Sequence, residues 1–500
     1  VTAKVLMLMG ASSSAGKSLL ATALCRIYAR RGWRVAPFKA QNMSNNAAVC
    51  GGGEIGRAQA VQAYAAGVEP TVDMNPVLLK PEAGQRSQIV LRGRIWDTVP
   101  ASEYYRHLPT LWNGVTSSLD RLRELYELII IEGAGSPVEL NLKRGDIVNM
   151  SLAAYARAPV LLVGDIDRGG IFAQLLGTLW LLEPQERALL QGFIINKFRG
   201  DLGLFYDGVE ILQERGGLPV LGVVPYLYDH GIPHEDAVAI QDAAVSGEWD
   251  QGTVDIAVIR LPHISNFDDL DPLAMEARVR VRYIDTVEAL GRPDAIILPG
   301  TKSTIADLDW LHNRGLSAAI RARAQQGVSV VGICGGYQML GQAVHDPGRV
   351  ESDRASIHGL GLLPVETTFS GLKATFRSQA RLKSRAGFWA DLDGELLDGY
   401  EIHMGHTLSA APLYEIVSRE GEPVTVPDGM SSPDGHVFGC YLHGLFDNDN
   451  LRRAWLKSLG AKTTQRDTLQ VREAAFERLA DAVAEALDMA QLDRILDAGV

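Results

Sequence analysis

Short continuous apolar runs alternate with longer amphipathic stretches along this chain, a pattern that predicts buried parallel strands joined by crossover helices. The expected strands are Val5 to Met9, Leu128 to Ile131, Pro159 to Val163 and Gly192 to Ile195. The pattern then restarts with Asp255 to Arg260, Ala295 to Leu298 and Val328 to Gly332, the last two leading into glycine-containing turns. From Asp467 onward, Leu, Val, Phe and Ala recur at helical spacing among charged residues. The fold class read from this is α/β: two consecutive doubly wound α/β domains with mostly parallel sheets, plus a short helical C-terminal tail. The expected division is 1–235, a linker at 236–252 that lacks an apolar period, 253–450, and a tail at 451–500.

Composition supports this reading and removes some function classes. A chain of 500 residues with 46% hydrophobic content exceeds what one core usually accommodates. A formal net charge of −12 argues against nucleic acid as a partner, because such binding needs a surplus of Lys and Arg. The apolar runs are too short to span a bilayer, so no membrane association is expected. Cys25, Cys50, Cys334 and Cys440 form no CxxC pair and no zinc spacing, which suits a reducing cytoplasm. The oligomeric state is left open.

The first strand runs into Gly10-Ala-Ser-Ser-Ser-Ala-Gly16-Lys17-Ser18, followed by a helical stretch from Leu19 to Arg30. In such a strand, loop and helix, backbone amides at Gly10 and Gly16 turn toward phosphate oxygens. Lys17 would reach the outer phosphates of ATP, and Ser18 would ligate Mg2+. Five residues separate the glycines, where the common phosphate-binding loop has four. The second strand ends in Glu132-Gly-Ala-Gly, placing a carboxylate where open α/β sheets bind ligands, so Glu132 is a second candidate magnesium ligand. A solvated strand-end carboxylate is the plainer alternative.

This loop resembles that of the dethiobiotin-synthetase-like P-loop enzymes, a group that activates carboxylates with ATP. Three further polar runs follow apolar strands: Lys39 to Asn46, Asp165 to Gly170 and Asn196 to Asp201. Any of them can serve as capping turns. As a set they gather Lys39, Asn42, Arg168, Lys197 and Arg199 where phosphates and an acidic substrate would meet, with Asp146 as a weaker candidate for metal or substrate work.

In the second half, Gly332-Ile-Cys334-Gly335-Gly336-Tyr-Gln338-Met-Leu-Gly341 puts a cysteine on a sharp strand-to-helix turn, where the sulfur is presented and backbone amides can hold an oxyanion. Far downstream, His443 follows the apolar run Cys440-Tyr-Leu. The elbow resembles that of class I, triad-type glutamine amidotransferases. That resemblance implies Cys334 as nucleophile, His443 as proton shuttle, and Gly300, Gly335, Gly336 and Gln338 at the oxyanion and glutamine-binding positions. The family usually carries an acid two positions after the histidine, and Leu445 stands there instead. What orients His443 is thus not readable. Cys440 reads as a buried strand residue. Glu401, His403 and His406 do not read as a metal site, since His406 falls on the other strand face.

Lys39 to Asn46, Ile131 to Gly135, Asn196 to Asp201, Cys334 to Gln338, Tyr400 to Gly405 and Tyr441 to Gly444 together resemble the cobyric acid synthase family over nearly the whole chain. The resemblance implies ATP- and L-glutamine-dependent amidation of the b, d, e and g carboxylates of adenosylcobyrinic acid a,c-diamide, a corrinoid, through acyl phosphates, in cobalamin biosynthesis. Cobyrinic acid a,c-diamide synthase is the neighbouring alternative. A P-loop partitioning or scaffold ATPase would account for Gly10 to Ser18 but not for Cys334 with His443.

Overall fold

The strand Lys4–Gly10 is enclosed on both faces, with Leu6, Met7, Leu8 and Met9 fully buried, because parallel neighbours flank it and helices cover both sides. The computed structural model describes residues 3–84, 86–100, 102–228, 230–233, 253–384, 386–462 and 467–500. The linker expected at 236–252 lies outside the described residues.

Lys4–Gly10 pairs in parallel with Leu128–Glu132 on one side and Val160–Asp165 on the other. The sheet continues through Leu190–Phe198 to Val220–Pro225 at one edge and ends with Val35–Phe38 at the other, six strands among the described residues. The chain visits one side of the central strand and then crosses to the other. This order makes the carboxyl end of Lys4–Gly10 a topological switch point, where a crevice forms. A smaller four-stranded sheet, Gln41–Met43, Val77–Glu82, Arg86–Leu91 and Arg94–Pro100, and a hairpin, Ala47–Cys50 with Gly53–Gly56, extend from this half. Ala47, Val49, Leu78 and Val90 of these elements pack against Ile402 of the second half.

The second sheet has eleven strands among the described residues. Val279–Ile284, Val254–Ile259, Ala295–Leu298, Ser329–Ile333 and Val437–Cys440 run parallel in that order. Beyond them the sheet turns antiparallel through Glu422–Ser431, Pro412–Arg419 and the 17-residue strand Glu366–Leu382, which also pairs with Leu396–Leu408. Sequence periodicity did not predict this extension. Its strands are only partly buried, so no continuous apolar run marks them.

The C-terminal helices divide between the two halves. Asp449–Ser458 sends Leu451, Trp455 and Leu456 into the second core. Thr468–Ala486 returns to the first half, packing Ala475, Phe476, Leu479 and Val483 with Leu20 and Leu24 of the helix Lys17–Arg30. Arg26 fixes that docking through Glu473 at 2.7 Å and Glu477 at 2.6 Å. None of the described helices is long and apolar enough to cross a membrane.

Candidate active sites and family

At the switch point the glycine loop closes on a left-handed Gly16, whose φ of 93° no residue with a side chain adopts cheaply. A Cβ there would meet the Asn196 amide nitrogen at 2.1 Å, because Asn196 ties the next strand to the loop by donating to Ala15 O at 2.9 Å. Lys17 donates to Gly135 O at 3.2 Å. Glu132 is 1% exposed and receives Ser18 Oγ at 2.8 Å, Lys39 Nζ at 2.8 Å and Gln62 Nε2 at 2.7 Å. A serine hydroxyl and a buried carboxylate thus converge, an oxygen-donor pair of the kind that holds magnesium together with phosphate oxygens.

A cleft of about 880 Å3 opens over this network, lined by Gly16, Lys17, Ser18, Lys39, Asn42, Glu132, Asp146, Arg168 and Lys197. The structure therefore gathers most of the expected residues of the first half in one place. Their engagements differ. Asn42 donates to Gln59 at 3.1 Å. Asp146 accepts the amides of Val148, Asn149 and Ser151, which makes it the organiser of a turn into the helix Met150–Ala156. Lys197 bridges Ser14 O at 2.7 Å and the buried Asp165 at 2.8 Å. Arg199 is not part of the lining: its guanidinium lies 3.7 Å over the Tyr226 ring and pairs with Asp167 at 2.7 Å.

In the second half, Ser329–Ile333 and Val437–Cys440 are adjacent parallel strands with Ile333 opposite Cys440. Cys334 and His443 leave the same end of neighbouring strands and so meet. Cys334 has φ 53° and ψ −109°, the sharp turn expected of an elbow, and the short helix Gly335–Leu340 starts directly behind it. Gly336 permits that turn, since a Cβ on it would lie 1.9 Å from Leu298 O. Gly300 lies against the histidine ring, where a Cβ would meet His443 Cε1 at 3.1 Å. The Gln338 side chain is engaged within the protein, accepting from Thr304 Oγ1 at 2.8 Å and donating to Tyr441 at 3.2 Å.

His443, 1% exposed, is held from three directions. Its backbone exchanges hydrogen bonds with Tyr400 at 2.9 and 3.1 Å, the Tyr400 ring stacks on the imidazole at 5.0 Å, and Nδ1 donates to Asp269 Oδ2 at 2.6 Å. Asp269 also accepts from Gly444 N at 2.8 Å. The other ring nitrogen is buried with no hydrogen-bond partner among the described residues. Burial works against a charge on the ring, but Asp269, with a further contribution from Cys334, outweighs it and pushes the imidazole up to about 10. Asp269 is the orienting acid that sequence reasoning missed. It sits in Asn266-Phe-Asp-Asp-Leu270, with no nearby feature to single it out.

Glu401 and His403 do share a strand face, 3.5 Å apart, but Arg419 and Ser378 take up the carboxylate and His403 stacks on Tyr441. No cluster of metal-ligating side chains occurs among the described residues.

A phosphate-binding crevice on one doubly wound sheet and a Cys/His elbow on another define a nucleotide-binding domain joined to a glutamine amidotransferase. Residues 6–230 match the family model for the CobQ/CobB/MinD/ParA nucleotide binding domain, and 255–451 match that for the CobB/CobQ-like glutamine amidotransferase domain. The chain is a glutamine-hydrolysing amidotransferase that uses ATP and acts on small molecules. It is 55% identical to cobyric acid synthase of Chloroflexus aurantiacus over 99% of both chains. It is 53% identical to that of Roseiflexus castenholzii and 48% identical to that of Dehalococcoides mccartyi, each over 100% of both chains. The chain belongs to the cobyric acid synthase family.

Proposed function

We propose that this protein amidates the b, d, e and g carboxylates of adenosylcobyrinic acid a,c-diamide with ammonia drawn from glutamine, in cobalamin biosynthesis. The full-length identity of 55% to a cobyric acid synthase carries this reading.

Glutamine hydrolysis falls to Cys334 and His443. The Cys334 sulfur attacks the side-chain amide carbon as its proton passes to His443, and backbone amides of the elbow together with the Gly300 turn hold the oxyanion. The protonated imidazole, favoured by Asp269, gives its proton to the leaving nitrogen, which departs as ammonia. Neutral His443 then takes a proton from water, whose oxygen attacks the thioester to release glutamate and restore the thiol.

In the first half a substrate carboxylate oxygen attacks the terminal phosphorus of ATP, and ADP leaves. Ammonia displaces phosphate from the acyl phosphate and loses a proton, which yields the amide. Lys17 and the loop amides hold the phosphates, and Lys39, Arg168 and Lys197 offset the negative charge of ATP and substrate. Ser18 and Glu132 would hold Mg2+, which when bound shields charge on the transferring phosphoryl group. The protein is proposed to work in the cytoplasm, where its four free, buried cysteines stay reduced.

The test is incubation with glutamine, ATP, magnesium and the corrinoid diamide, following corrinoid mass. Carboxyl-to-amide changes at all of b, d, e and g are expected. None, with glutamine hydrolysis intact, would reject the corrinoid as substrate.

A further inference from the structure

The short helix Phe267–Leu270 carries Asp269, which orients His443, and beside it Asp268. Asp268 forms an ion pair with the other half of the chain. Its Oδ2 lies 2.8 Å from Nε of Arg57, the first residue of the helix Arg57–Ala65 in the nucleotide-binding half, with the Asp268 side chain buried and that of Arg57 12% exposed. A second cross-domain contact reaches the same imidazole: Asn266 donates both to Ala47 O at 3.2 Å and to the hydroxyl of Tyr400 at 2.7 Å, and Tyr400 stacks on His443. Along the same helix, Ala58 and Val61 line the phosphate-binding cleft, and Gln62 donates to Glu132 at 2.7 Å.

We infer that Arg57 is a positioning residue for glutamine hydrolysis, supplied by the nucleotide-binding half, and that the helix Arg57–Ala65 makes that hydrolysis answer to the state of the phosphate-binding cleft. This rests on the reading of Cys334 and His443 as the hydrolytic pair. The physical reason is geometric. Asp268 and Asp269 share one turn of backbone, so an arginine ion-paired with the first limits where the second can hold the imidazole. Small misplacements of a proton shuttle are costly in rate. Glu132 accepts Gln62 on the oxygen opposite the one it offers to Ser18 and Lys39, so a change in what Glu132 binds is felt by the helix that ends on Asp268.

The experiment uses the full-length protein and measures glutamine hydrolysis with and without ATP and magnesium, alongside amidation driven by added ammonia. Arg57→Ala is expected to lower kcat for glutamine about 10- to 100-fold with little change in KM, and to lower the ratio of glutamine-driven to ammonia-driven amidation equally. Arg57→Lys should restore part of kcat, and it keeps the test decisive if Arg57→Ala does not fold. Adding Asp268→Asn to Arg57→Ala should cost nothing further, since the two act through one contact. ATP with magnesium should change the wild-type rate of hydrolysis and leave that of Arg57→Ala unmoved. A wild-type kcat in Arg57→Ala would overturn the positioning role, and a wild-type rate indifferent to ATP would overturn the link through Gln62. Hydrolysis that survives Cys334→Ala in an otherwise wild-type chain would overturn this inference together with the reading beneath it.

Discussion

His443 Nδ1 donates to Asp269 Oδ2 at 2.6 Å across 174 positions of sequence, and this one bond supplies the acid that the residue after Gly444 does not. In the proposed glutamine hydrolysis it fixes the tautomer, leaving Nε2 for Cys334 and the leaving amine.

Asp269→Asn keeps the shape but offers Nδ1 a neutral amide that can present either its oxygen or its NH2. Glutamine-driven turnover is expected to fall about 10²- to 10⁴-fold, while ammonia-driven amidation persists. Steady-state kinetics with each nitrogen source measure both. Equal losses with glutamine and ammonia would point to structural damage instead.

His443 also ties stability to pH. Its proton affinity rises in the folded protein from the ordinary 6.5 to about 10, so the folded state binds the proton more tightly. The contribution is fully present below pH 6.5 and is lost as pH rises through 10. Thermal unfolding followed across that range should show a decline on the alkaline side, and His443→Gln should flatten it. A decline of the same size in His443→Gln would assign the effect to other groups.

Glu132→Gln removes the charge on which Ser18, Lys39 and Gln62 converge. ATP-dependent amidation driven by ammonia should fall about 10- to 100-fold, with a higher magnesium requirement. Titration of activity against magnesium reads this directly, and an unaltered curve would remove Glu132 from the metal's ligands.

Two glycine substitutions separate close packing from conformational freedom. Gly336→Ala forces a Cβ within 1.9 Å of Leu298 O, where neither backbone can yield without moving the elbow, and should lower Tm and cost about 1–3 kcal/mol. Gly177 lies in the helix Ile171–Leu181 with open space around it, so Gly177→Ala should raise stability by about 0.5–1 kcal/mol. Parallel thermal melts compare them, and similar shifts would refute the packing argument.

The sequence by itself determined what short-range pattern can encode. Strands buried on both faces appear as continuous apolar runs, so Ala295–Leu298 and the cores of Lys4–Gly10 and Leu128–Glu132 were legible. The glycine loop and the Cys334 elbow were legible because a tight turn demands small residues at fixed offsets. What only the tertiary structure decided is which distant segments meet. The parallel pairing of Ser329–Ile333 with Val437–Cys440 brings Cys334 to His443, and the docking of the two halves brings Arg57 to Asp268. Neither Arg57 nor Asp268 carries a mark in its own neighbourhood, because a buried Asp is distinguished from a surface one only by the charge it faces. That charge lies elsewhere in the chain and is placed there by the packing of whole sheets.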